Sequence, residues 1–187
     1  MKKDDQKQTK KNGLPGLRGM EHIGFTVPDL EVATRFFVDV VGCELVYALG
    51  PITDADGDWM TRHMNVPAKA TVRELRFFRC GFGSNFEIFQ YDVEQQVATP
   101  PRNCDVGGHH LALYVDDFDT ALRHLIAHGV TVLGEPTVRT TGPSAGQTWI
   151  YFLTPWGMQL EMVSFPQGKG YERNAARKLW NPCTPLE

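Results

Sequence analysis

Gly107-Gly108-His109-His110-Leu111-Ala112-Leu113-Tyr114-Val115-Asp116-Asp117-Phe118 has an earlier counterpart in Glu21-His22-Ile23-Gly24-Phe25-Thr26-Val27-Pro28-Asp29-Leu30. With His110 laid on His22, an offset of 110 − 22 = 88, Val115 falls on Val27, Asp117 on Asp29, Phe118 on Leu30, Ala121 on Ala33 and Leu125 on Phe37. Each copy opens on a histidine, alternates faces at the period of a strand, and turns through an aspartate into helical spacing. Two copies of one unit are therefore expected.

Working outward, the first copy reads as a strand over 22–27 and a helix capped by Asp29, with Leu30, Ala33, Phe37, Val40 and Val41 on one stripe and Gly42 as its stop. Strands over 43–49, 72–79 and 86–91 follow, separated by a long connection over 50–70 that lacks a clear period and has the length of a functional loop covering a cavity. The second copy repeats the order with a strand over 110–115, a helix over 117–128 and strands over 130–133, 148–153 and 158–165. The expected organisation is a disordered tail over 1–19, a first βαβββ module over 20–92, a linker over 93–106, a second βαβββ module over 107–166 and an extension over 167–187. That extension has the makings of a short helix over 171–180.

Composition narrows the partners. The chain of 187 residues carries a formal net charge of −3 with 22% charged and 42% hydrophobic residues, so nothing calls for nucleic acid or an anionic membrane. The charged start, Met1-Lys2-Lys3-Asp4-Asp5, lacks an apolar secretory core, and no apolar run reaches the length of a membrane span. A cytoplasmic location is expected. Cys43, Cys80, Cys104 and Cys183 are irregularly spaced, without a CxxC pair, and are read as reduced thiols.

The candidate chemistry lies in the closing strands, Phe86-Glu87-Ile88-Phe89 and Leu160-Glu161-Met162-Val163, each with one acid among apolar neighbours. A carboxylate buried there without a partner would be costly, and a metal ion is one remedy. The acids are 161 − 87 = 74 residues apart, and the long 50–70 connection accounts for the shortfall from 88. If the first and last strands of each half are neighbours, His22 with Glu87 and His110 with Glu161 face one concave surface. Two imidazoles and two carboxylates suit a divalent transition ion with room for substrate. Satisfied core histidines and loop-bonded acids are the alternative for any one residue, and four repeat-equivalent positions favour the metal.

Glu74 has Thr148 at the equivalent place in the second copy, so the repeat does not explain it. It is either an ion-pair partner for Arg73 or Arg76, or a second base facing substrate. Phe89, Tyr91, Tyr114 and Trp149 are expected to line the site and to suit a ring or sugar-like face. For each of these singly, core packing is the competing assignment.

The paired His-x-Gly/Ala segments with a Glu near the end of each half resemble the vicinal oxygen chelate superfamily, over roughly residues 20–166. This resemblance implies an α+β fold of two tandem βαβββ modules whose sheets form an open barrel around a metal cavity. It implies one divalent transition ion (Ni, Co, Zn, Mn or Fe) on His22, Glu87, His110 and Glu161, with His109 outside the ligand set. Having both acids is similar to the glyoxalase I and methylmalonyl-CoA epimerase branch. That branch moves a proton beside a carbonyl through a metal-stabilised enediolate, with Glu161, Glu87 or Glu74 as base. Thr26 and Tyr91 stand where bacterial glyoxalase I holds glutathione with Arg and Asn, which argues against glutathione. The expected function is a metal-dependent isomerase, epimerase or lyase acting, as a homodimer, on a small molecule with vicinal oxygens. An Fe(II)-dependent ring-cleaving dioxygenase and a small-molecule-binding or resistance protein are the alternatives.

Overall fold

The computed structural model describes residues 13–185, so the expected tail lies largely outside the described residues. The first module consists of β1 (His22–Thr26), α1 (Leu30–Arg35), which runs on as a π-helical turn through Phe36–Val41, β2 (Glu44–Leu49), α2 (Trp59–Met64), β3 (Thr71–Arg79) and β4 (Asn85–Asp92). The second consists of β5 (Leu111–Tyr114), α3 (Phe118–Ala127), β6 (Thr131–Val138), β7 (Thr148–Leu153) and β8 (Gln159–Ser164). A 3₁₀ turn, Gly170–Arg173, follows.

Each module makes one four-stranded sheet, ordered β1-β4-β3-β2 and β5-β8-β7-β6. The first and last strands of each unit are parallel neighbours, Gly24 beside Glu87 and Ala112 beside Glu161. The helix is the crossover that such parallel pairing requires. Both helices begin where the repeat places an aspartate. Asp29 Oδ1 accepts from the Val32 N–H at 2.9 Å, and Asp117 Oδ1 from the Thr120 N–H at 3.0 Å. Gly42 ends the first helical run in the left-handed region at φ 88°.

The core lies between the helix-side faces of the two sheets. Phe25, Phe37, Phe78, Phe86 and Ile88 of the first module form one cluster with Ile150, Phe152, Leu160 and Met162 of the second. Phe37 is fully buried and touches Phe25, Phe78, Phe86 and Trp156, so it bridges both modules. His124 adds a polar tie, its Nε2 meeting the Val40 carbonyl at 2.9 Å. A smaller cluster on the opposite face of the first sheet joins Met60, Ala70, Val72 and Leu75. The 50–70 connection thus has an apolar anchor, with α2 inside it and an isolated bridge from Ile52 to Val72.

Two expectations are corrected here. Cys43 and Cys80 are not reduced thiols but a disulfide with Cα atoms 4.4 Å apart. The pairing of Glu44 with Arg79 across β2 and β3 brings the two cysteines together, and a separation of 37 residues conceals this in the sequence. Cys104 and Cys183 are free and exposed. The helix expected over 171–180 is only the turn Gly170–Arg173. Leu179 and Trp180 remain exposed, and a short segment without a packed apolar face does not hold a helix.

Among the described residues no helix is long and apolar enough to cross a membrane. Phe37→Ala is expected to cost about 3–5 kcal/mol by opening a cavity shared by both modules. Urea unfolding followed by fluorescence should then show one earlier transition; an unshifted first module would contradict the shared core.

Candidate metal and substrate site

Alternation along the strands commits the chemistry to the face opposite the core. Phe86 and Ile88 are buried against the helices, which turns Glu87 to the other side; Leu160 and Met162 do the same for Glu161. On that face His22 Nε2 lies 3.1 Å from Glu87 Oε2, and His110 Nε2 lies 3.1 Å from Glu161 Oε2. The two modules therefore build the same His–Glu pair.

Each ring nitrogen Nδ1 is held by a separate acceptor. His22 Nδ1 meets the Glu21 carboxylate, which is itself tied to the Asn85 amide at 3.2 Å. His110 Nδ1 meets Asn103 Oδ1 at 3.1 Å. With Nδ1 turned to its own acceptor, Nε2 stands at hydrogen-bond distance from a carboxylate oxygen, and on losing its proton it offers a lone pair. This is the donor chemistry of a metal-binding histidine oriented by its other nitrogen.

Burial pushes the Glu87 and Glu161 carboxyls above the usual carboxylate range; His22 opposes this for Glu87, and His110 and then Lys169 for Glu161. The hydrogen bond to Glu21, chiefly, raises the His22 imidazole. Glu161 is 8% exposed, so its charge has little solvent. A divalent cation would answer that need.

The four residues do not form one cluster in the single chain. Among the described residues no group of three or more His, Cys, Asp or Glu side chains is arranged to hold a metal ion. The modules pack through their helix sides, which leaves each His–Glu pair on an outward face. A cleft of about 1170 Å³ between the modules reaches His110 but none of the other three.

Glu74 lies elsewhere. A β-bulge between Val72 and Glu74 interrupts the alternation of β3, so Val72 and Leu75 share the Glu87 face while Glu74 and Arg76 turn to α1. Arg76 Nε donates to Glu74 Oε1 at 2.6 Å, and the same guanidinium pairs with Glu31 and donates to Thr34 Oγ1 at 2.7 Å. Glu74 is thus the ion-pair partner of Arg76, on the wrong side of the sheet for a base acting beside Glu87.

The aromatic candidates share the site-bearing faces. Phe89 and Tyr91 stack at 5.7 Å between centroids beneath the 50–70 connection. Trp149 lies 4.9 Å from Tyr151, and Tyr114 lies edge-on to Phe165 at 4.8 Å. Burial first, and then Cys183, push the Tyr114 phenol up to about 12.

The sequence reading passed over two rings nearer the pairs. Phe77 stands opposite Glu87 and edge-on to His22 at 5.7 Å; Tyr151 stands opposite Glu161 and edge-on to His110 at 5.1 Å. They are 151 − 77 = 74 residues apart, the spacing of the two glutamates. Applying that offset along the whole strand pair would have found them.

The family model for the Glyoxalase/Bleomycin resistance protein/Dioxygenase superfamily matches residues 21–152. The chain belongs to that superfamily. It is 47% identical over 171 residues to a 2-epi-5-epi-valiolone epimerase from Actinomyces sp, covering 91% of this chain and 92% of that one. Among solved structures it is similar to a glyoxalase family protein from Bacillus cereus, with TM-score 0.61 and 21% identity over 83% of this chain and 97% of that one. It is also similar to the fosfomycin resistance protein FosX from Listeria monocytogenes, with TM-score 0.53 and 20% identity over 84% and 98% of the two chains. These two likenesses are of fold.

A carboxyl whose pKa rises on folding costs stability when ionised. That cost is full above the folded pKa and gone once the pH lies below the unfolded value. Glu161→Gln should therefore raise the melting temperature of chelator-treated protein at pH 8. The gain should narrow as the pH falls through the acid range, as thermal melts at several pH values can check. A constant difference would point to packing instead.

Proposed function

We propose that this protein is a divalent-metal-dependent epimerase acting at a stereocentre beside the carbonyl of a hydroxylated cyclic ketone. The observation that carries the reading is the repetition, in both modules, of an imidazole Nε2 at 3.1 Å from a buried or half-buried glutamate. The 47% identity to an enzyme named as a 2-epi-5-epi-valiolone epimerase supports the reaction type and a ketone as substrate. The aromatic walls made by Phe77, Phe89, Trp149 and Tyr151 suit a ring.

His22, Glu87, His110 and Glu161 are the residues that would hold the ion. Bound there, a divalent cation supplies Lewis-acid stabilisation of negative charge developing on substrate oxygen, which acidifies the neighbouring C–H. Nickel, cobalt, zinc, manganese and iron all suit mixed imidazole and carboxylate donors. The chain's own part is proton transfer. Inversion needs a proton removed from one face of the substrate carbon and one delivered to the other. Glu87 and Glu161 come from different sheets and can serve the two faces, each made more basic by burial.

Because the pairs occupy outward faces of one chain, the reading includes a homodimer in which the first module of one copy meets the second module of its partner. No nucleic acid or membrane enters this scheme. Glu74 has no part in it.

Wild type is expected to incorporate solvent deuterium at the carbon beside the carbonyl of a cyclic polyol ketone. Glu161→Gln and Glu87→Gln should lower the rate by about 10² to 10⁴. NMR of the product in D₂O checks this, and O₂ uptake without exchange would overturn it in favour of a dioxygenase.

The shared site has its own test. His22→Ala and His110→Ala homodimers are each expected to be inactive. Mixing them with subunit exchange should restore activity, since one of the two sites in each mixed dimer keeps all four residues. Failure to complement would place each site within one copy.

A further inference from the structure

Across the first sheet the strand registers line up one row on the site-bearing face: Gly24 beside Glu87, Glu87 beside Phe77, and Phe77 beside Tyr47. Gly24 leaves its end of the row open, where a Cβ would come to 3.6 Å from both Glu87 Oε2 and the Phe89 ring. Beyond the carboxylate the row is aromatic. Phe77 stands edge-on to His22, and Tyr47 stacks on Phe77 with centroids 4.6 Å apart and planes 23° from parallel. Neighbouring strands lie about 4.8 Å apart, so Tyr47 springs from a point about 10 Å along the row from Glu87.

Tyr47 reaches this face through an irregularity in β2. Leu45 pairs with Phe78 and Tyr47 with Phe77, so Val46 is one residue more than the partner strand holds. In an even register Val46 would stand opposite Phe77, and Tyr47 opposite Arg76, on the helix side. Bulges re-aim side chains in this way. β6 pairs evenly at the equivalent place, Val132 with Phe152 and Leu133 with Tyr151, and the second row reads Ala112, Glu161, Tyr151 and Leu133. An aliphatic side chain therefore suffices at this sheet edge. Tyr47 adds a ring and a hydroxyl to it, and remains 47% exposed beside Phe77.

We propose that Tyr47 binds the substrate of the first half-site: its hydroxyl hydrogen-bonds to the ring hydroxyl on the carbon opposite the reacting carbonyl, and Phe77 flanks the ring between them. The identity of the ring rests on the epimerase reading above; the row of side chains does not. A six-membered ring laid from Glu87 toward Tyr47 spans that row, and a phenol, both donor and acceptor, matches a hydroxyl in either role. The second sheet has only Leu133 at that distance from its glutamate. Tyr47 thus sets a preference for rings hydroxylated at the far carbon.

The test compares two cyclohexanones, one hydroxylated beside the carbonyl and on the opposite carbon, the other lacking the opposite hydroxyl. With Mn²⁺-loaded wild type, kcat/KM for solvent exchange should favour the first by about five- to tenfold, the scale of one neutral hydrogen bond, mostly through KM. In Tyr47→Phe, which keeps the stack, that preference should disappear. Tyr47→Leu, which gives the first row the second module's residue, should lose the same preference and raise KM for both ketones. Thermal melts and sedimentation check that each variant keeps its fold and assembly. An unchanged preference in Tyr47→Phe would overturn the proposal, as would an equal loss on both ketones, the mark of a structural or interface role. Calorimetric binding separates this from the wider reading. If wild type binds the first ketone more tightly, Tyr47→Phe loses that difference and no proton exchanges, the epimerase reading fails and the role of Tyr47 stands. If wild type binds the two alike, or binds neither, the role of Tyr47 is overturned.

Discussion

The contact of Phe37 with Trp156 joins two sheets that share no strand pairing among the described residues. Phe37 is wholly buried, and around it the helix-side faces of both modules become one apolar body. Once those faces are spent on each other, strand alternation leaves the other faces to carry polar chemistry. His22, Glu87, His110 and Glu161 all follow from that division. A change that loosened this core would therefore shift the geometry of both His–Glu pairs without touching either.

The two halves are near copies in backbone and unequal in chemistry. Both place an imidazole, a carboxylate and an edge-on aromatic ring at equivalent positions. The differences are confined to what surrounds them: Glu21 or Asn103 behind the histidine, Phe77 or Tyr151 beside it, the 50–70 connection over one sheet and the 167–185 segment near the other. Lys169 over the Phe165 ring at 4.2 Å, and the Gly170 and Tyr171 N–H groups bonded to the Ala145 and Pro143 carbonyls, tie that last segment to the second module. A duplicated scaffold has thus kept its reactive pairs and varied their walls.

What the sequence made legible depended on local periodicity and on the repeat. Asp29 and Asp117 announce their helices, and the 88- and 74-residue offsets bring out both histidines and both glutamates. Glu21 and Asn103 escaped because neither is repeat-equivalent to the other, and an orienting contact across seven residues of linker has no period. Cys43 and Cys80 escaped because a sheet register, not their spacing, brings them together. The expectation of one four-residue cluster assumed that the two faces look at each other. In the single chain they look outward, since the apolar stripes of α1 and α3 claim the inner side.

The irregularity in β3 has a consequence of its own. Between Val72 and Glu74 one extra residue exchanges the two sides of the strand, which is why Glu74 meets Arg76, the partner of Glu31, rather than the Glu87 face. Which carboxylates are available for chemistry is therefore set by chain length at one point as much as by residue identity. Relatives of this fold could gain or retire an acid by an insertion or deletion of a single residue, with every side chain in the strand conserved, and an alignment scored by identity alone would record no change in their reactive groups.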